Sequence, residues 1–365
     1  MLKSIEITKF KGFESFAMDD MKPITMIGGK NNTGKTALLE SIFLNLGYSN
    51  PNIFLALYFA RNINIGKEPP KFTPDRLWNP LFYNLTANNS CSINLTFDNN
   101  KFSKLSLEKV RDENAGLNIN ADTIAGLLKR GASNTHFDSK LFALHFTSET
   151  AKNTIQGNYS IENGQIKYIS GGKIPDVGEI IKVVYYRNMM TLDMQTLAEI
   201  VSNIIADNRK DTLITILQYF DSTVSDVYVT LDDGVAGVNV RLNTGVVLPL
   251  SYMGDGINKG IQLFSLVLTT ENGIVLIDEI ENGLHYTSYL PLLETLYKTA
   301  LQQNTQLIIT THSEEVLDQS VHIMESFGML DKMSYQRLSR RSKLKVTAYT
   351  GQQLLDSVEF NMEVR

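Results

Sequence analysis

Apolar and polar residues alternate at the start of the chain, with Ile5 and Ile7 set between polar neighbours, and the alternation breaks at Lys11-Gly12. A period of two places one face of an extended strand against a core, so a strand and a turn are expected here. Ile24, Met26 and Ile27 form a second short strand, and Gly28–Gly34 follow as a loop. From Lys35 the period changes: Leu38, Leu39, Ile42, Phe43 and Leu46 recur at the spacing of one helix face. Residues 48–90, with Pro51, Pro69, Pro70, Pro74 and Pro80, read as an insertion with short helices.

Alternation returns over Ser92–Val110, through Ile93, Leu95, Phe97, Phe102, Leu105 and Leu107, and predicts half-buried antiparallel strands. Asn163-Gly164 signals a hairpin within Tyr159–Ile169. Val183–Tyr186 reads as a compact strand, and Met190–Phe220 has helical spacing broken near Asn208. Val227–Pro249 alternates again around turns at Asp232-Asp233-Gly234 and Asn243-Thr244-Gly245. The last third then alternates helix and strand: Ile257–Thr269, Ile274–Ile277, Tyr289–Gln302 and Leu307–Thr310. Strands joined by crossover helices form a largely parallel sheet covered on both faces. The fold class expected is α/β, with an antiparallel β-rich lobe and a short helical insertion.

Composition bounds this picture without changing it. A hydrophobic share of 43 % and a charged share of 20 % suit a globular core. Cys91 is the single cysteine, which excludes a disulfide framework and a cysteine-based zinc site and fits a reducing, cytoplasmic setting. The N-terminus has no long apolar core of a signal peptide, and IFLALYFA at 53–60 is too short to span a bilayer. A net charge of −5 offers nucleic acid no general attraction, so contact with DNA would need a local patch. Arg337, Arg340, Arg341, Lys343 and Lys345 are a candidate for one, although a solvated strand edge is the plainer reading. Arg187 could stabilise phosphate charge, although an ordinary surface arginine is the plainer reading, and Trp78 reads as a packing residue rather than a base-stacking platform.

Four segments carry candidate chemistry. GGKNNTGKT at 28–36 fits G-x-x-x-x-G-K-[ST] and lies between a strand and a helix, the context that pattern requires. Gly29, Lys30, Asn31, Asn32, Thr33, Gly34, Lys35, Thr36 and Ala37 are therefore the candidate ATP-binding residues. The backbone N–H groups and the helix start would hold phosphates, Lys35 would reach the β- and γ-phosphates, and Thr36 would ligate Mg²⁺. IVLIDEIENGLH at 274–285 is a buried strand ending in adjacent carboxylates. Asp278 is the candidate Mg²⁺ residue, and Glu279 the candidate catalytic carboxylate that orients or deprotonates water. TTHS at 310–313 ends the next strand and offers His312 to the γ-phosphate. LSYMGDGINKGIQL at 250–263 sets Ser251 and Gly254 before a helix, a second anion-binding helix start. By itself that segment is equally a loop and helix cap.

In this order the segments resemble the ABC-type ATPase heads of the SMC, RecF and OLD families. The opening IEITKFKGFESF and the phosphate loop look like the start of those heads. SYMGDG resembles their signature, LIDEIENGLH their Walker B and D-loop, and TTHS their switch histidine. The resemblance covers about residues 1–45 and 245–315, and the helical stretch near 190–220 is too short for long coiled-coil arms. It implies a P-loop NTPase of SMC-head architecture, divided into a first ATPase lobe (1–180), a helical and hairpin insertion (181–249) and a second ATPase lobe (250–365). It also implies ATP held between two subunits of a homodimer or larger homo-oligomer. Ser251 and Gly254 of one subunit would then face the γ-phosphate bound by Lys35 of the other. YMGDGINKGIQL, DEIENGLH and TTHS look most like the compact ATPases that accompany Toprim nucleases, among them OLD proteins and the AriA-type ATPases of PARIS anti-phage systems. The chain ends at Arg365, so a Toprim-like nuclease is expected as a separate effector protein. The expected function is an ATPase that controls such an effector in anti-phage defence. The alternative is a DNA-repair or chromosome-maintenance ATPase that binds DNA directly.

Overall fold

The computed structural model describes residues 1–59, 61, 77–85, 90–111, 142–162, 165–170, 181–187, 194–232, 234–340, 344–360 and 362. Pro69, Pro70, Pro74, the Asn163-Gly164 turn, Asp233, Arg341 and Lys343 lie outside the described residues. The chain opens with β1 (Leu2–Phe10) and β2 (Phe13–Met18), an antiparallel pair about the Lys11-Gly12 turn. Only β1 is legible as alternation, for a local reason. Lys9 takes a left-handed φ of 53°, which shifts the phase so that Phe10 follows Ile5 and Ile7 into the core. Phe13, Phe16 and Met18 oppose Phe10, Ile7 and Ile5, so β2 buries residues at uneven spacing.

β3 (Ile24–Gly28) is buried along its whole length and runs through the phosphate loop into α1 (Lys35–Gly47). After α2 (Asn52–Phe59) come β4 (Ser90–Phe97), β5 (Phe102–Arg111), β6 (Phe142–Thr150), β7 (Thr154–Glu162) and β8 (Gln165–Ser170). With the first two strands they form a seven-stranded antiparallel sheet, ordered β2-β1-β4-β5-β6-β7-β8. Trp78 is fully buried beside this sheet, its ring edge-on to Phe54 at 5.1 Å, and Phe54 in turn meets Tyr159.

Then follow β9 (Val183–Arg187), α3 (Met194–Ala206), α4 (Lys210–Gln218), β10 (Val224–Asp232), β11 (Val235–Leu242) and β12 (Val247–Pro249). The last three make a small antiparallel sheet. The chain ends with α5 (Asp255–Leu268), β13 (Ile274–Asp278), α6 (Tyr289–Gln302), β14 (Gln306–Thr310), α7 (Glu314–Ser326), β15 (Met333–Arg340), β16 (Leu344–Thr350) and α8 (Gly351–Glu359). The second large sheet has the order β16-β15-β3-β14-β13-β9, parallel throughout except for the edge strand β16.

β13 and β14 are buried at every position, as strands covered on both faces must be. Alternate residues serve two cores. Val275, Ile277, Leu307 and Ile309 pack against the helices α3 to α7, while Ile274, Leu276 and Ile308 face α1 and the antiparallel sheet. α1 is thus held between the two large sheets, and its buried Asn45 donates to the Ile93 carbonyl at 2.9 Å and accepts from the Ser103 hydroxyl at 2.8 Å. Gln306 ties the sheets together at the far end: its amide donates to the carbonyls of Leu2 and Lys22 and its oxygen accepts the Leu2 N–H at 2.7 Å. This is the α/β architecture with an antiparallel β-rich lobe that the sequence predicts. Among the described residues no helix is long and apolar enough to cross a membrane.

Candidate active site

The glycine loop is shaped by its backbone. Gly29 has φ 129°, and a Cβ there would lie 2.1 Å from the Leu338 carbonyl oxygen on β15. Gly34 has φ 105°, and a Cβ there would meet the Phe13 ring of β2 at 2.8 Å. Both positions demand glycine for conformation and for space. Lys30 and Asn31 are exposed on the loop, Asn32 takes φ 62°, and Thr33 is buried with its hydroxyl on the Lys30 carbonyl at 2.9 Å. α1 begins at Gly34 without a side-chain cap, so its first turn presents N–H groups and the positive end of the helix dipole. Ala37 packs into the core below. Lys35 is only 6 % exposed and curls over the loop, its Nζ donating to the carbonyls of Gly29 at 2.8 Å and Lys30 at 3.1 Å.

The sheet order brings the other residues to the same end. β14 lies between β3 and β13, so the strand ends carrying Gly28, Thr310 and Asp278 stand side by side. Asp278 is 2 % exposed. Its carboxylate accepts from the Thr36 hydroxyl at 2.9 Å, the Thr310 hydroxyl at 2.7 Å and the Tyr185 hydroxyl at 3.3 Å. Burial pushes the Asp278 carboxyl above its ordinary range, against the pull of Thr310, Thr36 and Arg187. Glu279 is different: it leaves the strand at φ 51° with its side chain 41 % exposed, and Asn282 donates to its carboxylate. His312 sits between the two halves of the site. Its Nδ1 is 3.5 Å from Lys35 Nζ and its Nε2 is 3.6 Å from a Glu279 oxygen.

Thus Lys35, Thr36, Asp278, Glu279 and His312 converge. Ser251 and Gly254 do not: both are exposed, at and just before the start of α5, and none of the hydrogen bonds described at the site reaches them. Arg187 corrects the surface-arginine reading. Because β9 pairs with β13 in the register Arg187↔Asp278, its Nε lies 3.5 Å from the Asp278 carboxylate. Sequence alone also assigns no role to Tyr185, Lys259 or Glu281, whose partners are all remote in the chain. Arg340 of the basic run, at the end of β15, donates to the Gly12 carbonyl of the β1–β2 turn at 2.8 Å.

The arrangement suits a nucleotide. Loop N–H groups, a helix start and a lysine face one way, while a neutral hydroxyl and a buried carboxylate lie within hydrogen-bonding distance of each other. That pair fits Mg²⁺, which takes few protein oxygens and keeps water and phosphate oxygens for the rest. Among the described residues Asp278 has one ion pair, with Arg187 at 3.5 Å, and burial still raises its carboxyl, so a further cation would relieve it.

Comparison with known proteins agrees with this chemistry. A family model described as AAA ATPase domain (AAA_15) matches residues 1–317. An "ATP/GTP phosphatase" of Helicobacter pylori is 26 % identical over 343 residues, covering 88 % of this chain and 88 % of that protein. An uncharacterized protein of Methanocaldococcus jannaschii is 27 % identical over 113 residues, 31 % of this chain and 90 % of its own length. Among solved structures, an SMC head bound to the C-winged helix domain of ScpA superposes with a TM-score of 0.50 at 12 % identity, over 96 % of this chain and 97 % of that one. At that identity the likeness concerns the fold.

Proposed function

This chain belongs to the AAA ATPase domain family, and from that premise we propose that it binds ATP and Mg²⁺ between two subunits and hydrolyses ATP to control a separate effector. The observation that carries the reading is the meeting of Lys35 and Thr36 with Asp278, Glu279 and His312 at one end of the parallel sheet. In it, residues Gly29 to Ala37 wrap the phosphates and Lys35 leaves its loop carbonyls for the β- and γ-phosphates. Thr36 and Asp278 hold Mg²⁺, which when bound neutralises charge on the phosphate oxygens. Glu279, free of the strand and partly exposed, orients water and takes its proton as the water oxygen attacks the γ-phosphorus and the bond to the ADP oxygen breaks. His312 donates to the γ-phosphate as its charge redistributes.

Ser251 and Gly254 belong in this reading to the partner subunit's nucleotide. They stand exposed at the approach to a 14-residue helix whose N-cap, Gly254, carries no capping side chain. Between them Tyr252 is 78 % exposed. The effector rests on resemblance alone. The YMGDG, DEIENGLH and TTHS segments look like those of OLD and AriA-type ATPases, which supports a Toprim-like nuclease and a role in anti-phage defence.

Complementation tests the composite site. Ser251→Arg and Lys35→Ala should each be inactive, the first with ATP still bound at its own loop. Mixed, they should recover activity that rises with protein concentration, because one of the two sites in a mixed dimer pairs Lys35 with Ser251. If mixed dimers form and remain inactive, the two-subunit site is wrong. Salt-sensitive, ATP-dependent binding of duplex DNA by the chain alone would favour the DNA-clamping alternative.

A further inference from the structure

We infer that Glu281 is a positioning residue: it fixes the backbone of His312 and thereby sets the histidine at the reacting phosphate. The inference rests on the role proposed for His312 above. Sheet pairing between β13 and β14 runs to Ile277↔Ile309 and then stops, so the two strand ends must be held by something else beyond that point. The Ile280 N–H still donates to the Thr310 carbonyl at 3.2 Å. After it, the Glu281 carboxylate takes over as the acceptor for the opposite segment. One oxygen accepts the His312 backbone N–H at 2.5 Å and the other accepts the Thr311 hydroxyl at 2.8 Å. A charged carboxylate on a backbone N–H is among the stronger hydrogen bonds a protein makes.

The described contacts of the ring are longer, 3.5 Å to Lys35 and 3.6 Å to Glu279, so the backbone bond to Glu281 is the shortest of the described holds on His312. Glu281 is in turn braced from α5. Lys259, buried on that helix, donates to the carbonyls of Ile280 and of Asn282, the latter at 2.7 Å, and so grips the backbone on both sides of Glu281. A continuous path therefore runs from the helix that follows Ser251 and Gly254 to the backbone of His312, with Glu281 as its last link.

A double-mutant cycle on ATP turnover by the full chain tests this. Glu281→Ala should lower kcat about 10-fold or more, as displacement of a reacting group does, while Kd for a non-hydrolysable ATP analogue stays within about 2-fold. Glu281→Gln keeps one acceptor oxygen and should fall between that variant and wild type. In the His312→Ala background, Glu281→Ala should slow turnover no further, because its effect passes through the histidine. Independent, multiplying losses in the cycle would overturn the inference, and so would wild-type turnover by a folded Glu281→Ala. Should Glu281→Ala fail to fold, Glu281→Gln takes its place in the cycle, and the same two outcomes would overturn the inference. Wild-type turnover by His312→Ala alone is a distinct result, which removes the proposed role of the histidine and this inference with it.

Discussion

Two carboxylates lie buried near α1, and they differ in how their charge is met. Glu40, on the helix itself, is 0 % exposed and accepts from Lys11 of the β1–β2 turn and from Arg61 Nε at 2.8 Å. Burial alone would raise its pKa, but the ammonium of Lys11 and the guanidinium of Arg61 outweigh it and hold the carboxyl below its usual range. Asp278, on β13, is about as deeply buried, yet its closest partners are neutral hydroxyls and its one described cation contact, with Arg187, is 3.5 Å away. Its carboxyl is pushed up instead. Burial is common to both, so burial does not mark a functional carboxylate. The balance of charge separates the two: Glu40 is met by two cations and anchors the turn, while Asp278, at the mouth of the phosphate loop, has one described cation contact, at 3.5 Å.

Glu40→Ala gives the sharpest break of this contrast. It strands the buried Lys11 ammonium, already lowered to about 8 chiefly by burial, and should cost about 3 kcal/mol or more in denaturant unfolding at pH 7. The sign with pH follows from the depressed carboxyl. Its contribution is present in full above the unfolded pKa and is lost as pH falls through the folded one, so wild type and variant should converge in acid. A variant as stable as wild type at pH 7 would end the distinction. Glu279→Gln should next lower turnover roughly 10²-fold while ATP still binds and the ATP-bound assembly accumulates. Its unfolding midpoint should barely move, since the side chain is partly exposed. The effect of Lys35→Ala on stability should be the smallest, less than about 1 kcal/mol, although it abolishes turnover and lowers nucleotide affinity by about 10-fold or more in calorimetry. If it unfolds the chain as Glu40→Ala does, the two clusters do not divide support from chemistry.

Much of this was legible in the chain, and the exceptions share a cause. IVLI and LIIT are unbroken apolar runs, so the central strands declare themselves, and the phosphate loop is spelled out contiguously. His312 could be placed because the next parallel strand after a carboxylate strand usually lies beside it, and β14 does. β2 escaped because one left-handed residue, Lys9, puts its partner strand out of phase. Glu40 sits within an apolar helical run and reveals nothing until Lys11, 29 positions earlier, folds onto it. Arg187 is defined by its register with a strand 91 residues away, since 278 − 187 = 91. Glu281 stands in full view within DEIENGLH, but its partner backbone is 31 positions on. Patterns of period and contiguity expose local geometry, and pairings made across the sheet stay hidden until it forms.

The place of β14 between β3 and β13 also fixes an order of events during synthesis. Among the described strands β1, β2 and β4 to β8 pair with one another, within the first half of the given sequence, and can form their sheet as they emerge. The strand that carries the phosphate loop has no such early neighbour. Its two sheet partners are β14 and β15, which begin only at Gln306 and Met333, and Gln306 must travel back 304 positions to meet Leu2. A nascent chain stopped short of Gln306 therefore carries a spelled-out nucleotide motif on an unpaired strand. In this geometry the phosphate loop gains its sheet neighbours only once β14 and β15 have been made.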